Sequence, residues 1–359
     1  ITPKALPPGG TIAFLSPSAR MHESHPLPTQ RATQALEAQG YKVKTIHHPE
    51  DPATTTIASH IETRKQELLA AFADDSVHAL VCMVGGTTLT ELVPALLHDQ
   101  AALRLIRAHP KILVGYSDIT ILHWLLYTQC GLRTFYGPTV VPELGEAPRP
   151  DPYSLRHLLD AIARPHQPVG TIRPAASWRT ANPAYFADPA SLAPAPYAPN
   201  PGWTWLRPGR AEGRIFGGCL SLVVRLGGVR QLNPDWHGRV VFLETAMAES
   251  DEDKGVPVER IRSQLADLVA QGIFDRVAGV VFGRFFGYGD EQGRKVVEKL
   301  VREVLVENEW VRNEKFGAFP VLMGVDFGHT SPMITIPMDA TVKLDSEQDA
   351  FEILEPGVL

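Results

Sequence analysis

Ser117 is the residue whose type and place most strongly suggest covalent chemistry. It lies in Gly115-Tyr116-Ser117-Asp118, where the apolar run 111–115 (KILVG) gives way to a helical pattern over 118–129. A sharp strand-to-helix turn lifts a hydroxyl above the sheet edge and aims it at the free N–H groups of the helix start, which favour developing negative charge. A serine hydroxyl alone is a weak nucleophile and needs a neighbouring base that a third group orients. Plain helix capping, which serine does well, is the other reading of the same position. The string is not the G-x-S-x-G elbow of α/β hydrolases, because its second glycine would fall on Ile119.

A base and an orienting acid are available further along. His329 sits in Gly324-Val325-Asp326-Phe327-Gly328-His329-Thr330, directly after a strand-like run and beside glycines that permit close approach. Glu244 ends the apolar run Val240-Val241-Phe242-Leu243, so a buried strand delivers a carboxylate at its terminus. Taken singly, each also reads as a strand-end polar residue meeting solvent or backbone. Together they supply what Ser117 lacks, in the order Ser, Glu, His. Gly85-Gly86, at the end of the run 78–84 (HALVCMV), can place backbone amides near a tetrahedral oxyanion, with the amide of Asp118 as partner donor. A tight turn that simply needs glycine is the alternative there. No HExxH or CxxC spacing suggests a metal, and His47 and His48, being adjacent, point to opposite faces of an extended segment. No Walker-type loop or GxGxxG appears either, which argues against a nucleotide-hydrolysing or dinucleotide-dependent enzyme.

The elements that must position these residues read as two α/β regions. In the first, strand-like runs at 11–16, 42–46, 78–84 and 111–115 alternate with helical patterns at 29–39, 57–72 and 118–129. Buried apolar strands alternating with amphipathic helices predict a parallel sheet covered on both faces, with ligands at the carboxyl ends of its strands. The turns at Gly85-Gly86 and Tyr116-Ser117 both fall there. Composition shifts over 166–208, which is dense in Pro and Ala and carries Trp178, Trp203 and Trp205; proline predicts an irregular segment between domains 1–165 and 209–359. Beyond it, strand-like runs at 213–216, 239–243, 277–282 and 320–325 are separated by long helices near 258–271 and 291–307, and the period-two pattern over 334–354 predicts antiparallel strands.

Composition narrows the partners. A formal charge of −6 without a basic stripe argues against nucleic acid or an anionic membrane as principal partner. Cys82, Cys130 and Cys219 sit inside apolar runs and suit reduced core thiols. The opening ten residues carry Pro3, Pro7 and Pro8 rather than the apolar stretch of a signal peptide, and no run is long and apolar enough to span a bilayer. The expectation is a cytoplasmic protein that does not engage membrane.

The strings GYSDIT (115–120), GRIFGGCLSLV (213–223), GRVVFLE (238–244) and GVDFGHTSPMITIP (324–337) resemble the LD-carboxypeptidase family of serine peptidases, and the resemblance runs along nearly the whole chain. The insert bearing Trp178 and the string Pro199-Asn200-Pro201-Gly202-Trp203 is similar to that of the microcin C self-immunity branch. The resemblance implies an N-terminal flavodoxin-like parallel-sheet domain plus a C-terminal α/β domain with mixed strands, with the active site between them. It places Ser117, Glu244 and His329 on the catalytic triad, Gly86 and Asp118 on the oxyanion donors, and Gly85, Trp178 and Trp203 at the substrate, Trp178 stacking on a base. It further implies a homodimer without cofactor, acting on a small-molecule or short-peptide substrate. In the immunity branch that substrate joins an amino acid or peptide to a nucleotide mimic; in the murein-recycling branch it ends in a D-amino acid. Cys219 and Thr245 depart from the polar and acidic residues that the family pattern leads one to expect at those places.

Overall fold

The computed structural model describes residues 1–51, 53–311, 313 and 317–359. They form two compact units: Ile1–Pro165 with Pro183–Ala195 and Gly357–Leu359, and His166–Asn182 with Pro196–Pro356.

In the first unit, strands β1 (Thr11–Leu15), β2 (Lys42–Ile46), β3 (Ala79–Cys82), β4 (Ile112–Gly115) and β5 (Phe135–Tyr136) pair in parallel in the order β5-β4-β3-β1-β2. That is a flavodoxin-like order, reversing between β1 and β3, and ligands of such sheets gather beyond the carboxyl ends of the strands at that reversal. The core strands are apolar at every position because helices cover both faces: Ile12–Leu15, Ala79–Cys82 and Ile112–Gly115 are all buried. At the free edge, β2 reads KVKTI and keeps Lys42 exposed, a charge that discourages further pairing. The helix starts follow side-chain chemistry. Thr56 and Ser59 form a reciprocal capping box on Ile57–Ala73, Asp99 caps Gln100–Ala108, and Asp151 caps Pro152–Ala163.

The second unit is built on an eight-stranded sheet, mixed as expected. Its centre is parallel: β8 (Arg210–Cys219), β9 (Arg239–Thr245), β10 (Gly279–Phe285) and β11 (Val321–Val325). The period-two terminal segment supplies β12 (Thr341–Asp345) and β13 (Ala350–Ile353), both antiparallel and continuing outward from β8. The outermost strands are β6 (Gly170–Ile172) on β13 and β7 (Thr204–Arg207) on β11.

Those two edge strands come from the Pro-rich stretch that was expected to be irregular. Proline bars a segment from the middle of a sheet, not from its rim, where one side of the strand has no ladder to complete. The stretch is divided between the two units. Its middle belongs to the first, where Tyr185 is fully buried and its hydroxyl donates to the carbonyl of Pro142. Its ends belong to the second, where Asp326 acts as an anchor. The carboxylate of Asp326 accepts from the amide of Ala175 at 2.9 Å, from Asn200 Nδ2 at 3.0 Å and from Arg284 Nε at 2.9 Å. Asp326 and Arg284 are 1% and 3% exposed at their side chains, so this is a buried ion pair that also satisfies backbone.

Breaking a buried pair from one side leaves the other charge without compensation. Asp326→Ala is therefore expected to cost about 3–5 kcal/mol in urea unfolding. It should also open the flanking stretch, residues 173–203, to limited proteolysis. A wild-type unfolding midpoint would refute the anchoring role.

Candidate active site

The turn after β4 holds Ser117 in an uncommon conformation. Gly115 closes the strand where a side chain would press on Ile119 at 3.0 Å and Cys82 at 3.2 Å. Tyr116 is extended, and Ser117 then turns left-handed, with φ of 62°, before a single 3₁₀ turn leads into the helix Thr120–Cys130. A left-handed serine costs about 1–3 kcal/mol and persists only where the surroundings enforce it. Here they do so from several sides. The Tyr116 hydroxyl donates to Glu143 at 2.8 Å, and the Ser117 amide donates to the Tyr136 hydroxyl at 3.4 Å. His123, fully buried, bridges the Gly115 carbonyl at 2.9 Å from Nε2 and the Thr134 hydroxyl at 2.7 Å from Nδ1. Because a carbonyl only accepts, Nε2 carries the proton and the ring is neutral; burial lowers its pKa from 6.5 to about 4.

Gly85, Gly86 and Asp118 gather around this serine. A Cβ on Gly85 would stand 2.7 Å from the Cβ of Ser117, 2.9 Å from its Oγ and 3.2 Å from the Asp118 amide nitrogen, so only glycine fits. Gly86 has φ of 141°, a region that side chains rarely adopt. Asp118 is 1% exposed, so its side chain faces inward from the turn.

Glu244 and His329 meet in the second unit. Glu244 lies in β9, opposite Cys219 of β8, and is fully buried. His329 Nδ1 donates to Glu244 Oε2 at 2.7 Å, which fixes the tautomer and leaves Nε2 as the acceptor of the neutral ring. The approach needs Gly328: its φ is 103°, and a Cβ there would lie 2.7 Å from Oε2. Phe327 packs edge-on against Phe242 of β9, ring centroids 5.6 Å apart, pinning the loop above the strand that carries the carboxylate. The Cys219 thiol is pushed far above its usual pKa, first by burial and then by the Glu244 carboxylate, so it stays protonated. Thr245, the other departure from the family pattern, is buried, and its hydroxyl has no hydrogen-bond partner among the described residues.

The tryptophans of the insert each have partners within the second unit. Trp178 is only 4% exposed, and the Arg284 guanidinium lies over its ring at 4.4 Å. The ring also lines a cavity with Pro201, Gly202 and Tyr288. The neighbouring Arg179 pairs backbone with Ser331, which ties the Trp178 strand to the loop bearing His329. Trp203 and Trp205 both donate to Asp349 Oδ1, at 2.7 and 2.8 Å, so they fasten the insert to its own sheet. Sequence reasoning did not single out His123, Asp326 or Arg284. The first looks like any helical histidine, and the other two acquire meaning only through partners far away in the chain. Among the described residues, no group of three or more His, Cys, Asp or Glu could hold a metal ion.

A flavodoxin-like sheet with a left-handed serine at a strand end, and a mixed sheet presenting a buried carboxylate–histidine pair, define the class as a two-domain α/β hydrolytic enzyme. The chain belongs to the LD-carboxypeptidase family of serine peptidases: residues 12–137 match its N-terminal domain and residues 212–344 its C-terminal domain. It is similar to a putative carboxypeptidase of Vibrio cholerae, 28% identical over 98% of this chain and 96% of that protein. It is 26% identical to the microcin C7 self-immunity protein MccF of Escherichia coli over 97% of this chain and 94% of MccF. A solved structure of MccF in complex with aspartyl sulfamoyl adenosine superimposes with a TM-score of 0.82, at 23% identity, covering the whole of both chains. A probable murein peptide carboxypeptidase of Bacillus subtilis is 27% identical over 99% of this chain and 95% of that protein. No helix among the described residues is long and apolar enough to cross a membrane.

The neutral, buried His123 generates a test by acid unfolding. Its folded-state pKa lies below that of the unfolded chain, so between pH 6.5 and about 4 the unfolded state binds more protons and stability falls with falling pH. His123→Asn is expected to lower stability at pH 7 and to flatten the decline through that window, measured by urea midpoints at stepped pH. An unchanged slope would show that His123 titrates normally.

Proposed function

We propose that Ser117 is the nucleophile, His329 the general base and Glu244 the group that orients it, with the amides of Gly86 and Asp118 receiving the oxyanion. The observation that carries this reading is the 2.7 Å bond from His329 Nδ1 to the fully buried Glu244 carboxylate. Such a pair holds one tautomer and stabilises the imidazolium that forms when the base takes a proton. In the proposed reaction His329 Nε2 removes the Ser117 proton as Oγ attacks the scissile carbonyl carbon. The tetrahedral intermediate collapses, the carbon–nitrogen bond breaks, and the imidazolium returns the proton to the leaving nitrogen. Water, activated by the same imidazole, then attacks the acyl-serine ester and releases the carboxylic acid with free Ser117.

For the substrate we propose a peptidyl or aminoacyl group joined through an amide or acyl-sulfamate-type bond to a nucleotide-like moiety. The whole-length likeness to MccF, whose solved complex holds aspartyl sulfamoyl adenosine, supports this choice. A murein peptide losing a terminal D-amino acid is the second reading, supported by the likeness to the probable murein peptide carboxypeptidase. Mass spectrometry after incubation with each compound separates them. The expected result is aspartate released from aspartyl sulfamoyl adenosine; release of the terminal residue from a murein tetrapeptide alone would replace the first reading by the second. Binding without turnover of either would mark a sequestering protein.

Ser117→Ala should reduce kcat on the order of 10³-fold or more, and combining it with His329→Ala should add little, because a triad acts as a unit. Losses that multiply in the double variant would show that the two residues act in separate steps.

A further inference from the structure

We infer that Ser18 is a positioning residue for the oxyanion site, holding the backbone amides of Gly86 and Asp118 in register through its buried hydroxyl. The inference rests on the proposed role of those two amides. Ser18 follows β1 at the point where the sheet order reverses, and it is fully buried. Its side chain reaches both amide-bearing segments. Its Oγ donates to Asp118 Oδ2 at 2.5 Å, and it lies so close over the α-carbon of Gly86 that a Cβ there would stand 2.5 Å from the hydroxyl oxygen. The same Asp118 oxygen accepts the amide of Leu89 at 2.9 Å. One carboxylate oxygen therefore joins three segments: the β1 loop through Ser18, the β3 loop through Leu89, and the nucleophile turn through its own backbone.

Two further contacts close this brace. The Ala19 amide donates to the Gly85 carbonyl at 3.0 Å, fixing the peptide that precedes Gly86. Arg64, fully buried, donates from Nη1 to the carbonyl of Pro17 at 3.4 Å and to the carbonyl and hydroxyl of Thr88 at 3.1 and 3.0 Å. The β1 and β3 loops are thus clamped on either side of the serine. A hydroxyl has one proton, and that of Ser18 is given to a carboxylate; Ser18 is therefore not itself a donor to substrate. Its effect passes through the two backbones it spaces. Oxyanion donors act only when already aimed at the place where charge develops, so a small displacement of either amide reduces transition-state stabilisation while leaving ground-state binding alone.

The test is a split between kcat and KM, measured on whichever of aspartyl sulfamoyl adenosine and a murein tetrapeptide the wild-type protein hydrolyses, with thermal midpoints recorded alongside. Ser18→Ala is expected to lower kcat by roughly 10- to 100-fold with KM little changed, the scale for misplaced catalytic groups. Asp118→Asn, which keeps the side-chain shape and weakens the acceptor, should lower kcat by a smaller factor. It also serves as the deciding variant if Ser18→Ala fails to fold. Faster hydrogen exchange of the Leu89 amide in Asp118→Asn should accompany the loss. Wild-type kcat in both variants, with Ser117→Ala inactive, would overturn the role of Ser18 and leave the nucleophile in place. A raised KM at unchanged kcat would also overturn it, by showing that the hydroxyl touches substrate. Wild-type turnover by Ser117→Ala would instead remove the reading on which the inference depends.

Discussion

The constraint around which the first unit is organised is the placement of a serine hydroxyl beyond the end of a parallel sheet covered on both faces. A strand buried on both faces offers no side chain to solvent until it ends, and at its end the backbone must turn sharply to enter the next helix. Ser117 makes that turn in the left-handed region, at a cost that nothing within the tetrapeptide repays. The surrounding contacts offset it: His123 holds the carbonyl before the turn, Tyr136 holds the amide within it, and Gly85 yields the space beside it. Each is rigid for its own reason, a neutral buried imidazole, an aromatic in the adjacent strand, and a glycine that no larger residue could replace. The strained residue is over-determined by contacts that lie outside its own tetrapeptide.

The second unit solves a different problem, that of keeping a carboxylate in a fully buried position. An isolated charge there would shed its ionisation or unfold the strand. The histidine one loop away gives Glu244 a donor at 2.7 Å, and Gly328 makes room for that approach. The same loop is held from below by the Phe242–Phe327 contact and from its start by Asp326, whose carboxylate is itself committed to Arg284 and to the insert. Fastening of the insert and placement of the histidine are coupled here, because Asp326 stands within a few positions of His329.

Much of this organisation can be read from the residues alone. The strand-like runs of 42–46, 111–115 and 239–243 correspond closely to the strands β2, β4 and β9, and the period-two tail pairs antiparallel. Periodicity of burial is written locally, so it survives as a signal in a single chain. The ends of those runs, with Ser117, Gly85-Gly86 and Glu244, were legible for the same reason: a polar residue or glycine where an apolar strand stops is a local event. The Pro-rich stretch was misread as irregular because proline content reports which ladder bonds are forbidden, not whether a sheet edge is present to accept the rest.

What the sequence by itself determined is thus the alternation of elements, the class of fold, and a short set of residue types at strand ends that could do hydrolytic chemistry. Only the tertiary structure decided that His329 meets the buried Glu244 carboxylate at 2.7 Å, since the two are 85 positions apart. It likewise decided that Ser18 reaches Asp118 across 100 positions, and that Trp178 is packed beneath Arg284. Hydrogen bonds and ion pairs of this kind depend on distance and direction in space. A linear pattern fixes what each element buries, but not the remote partner that folding brings against it.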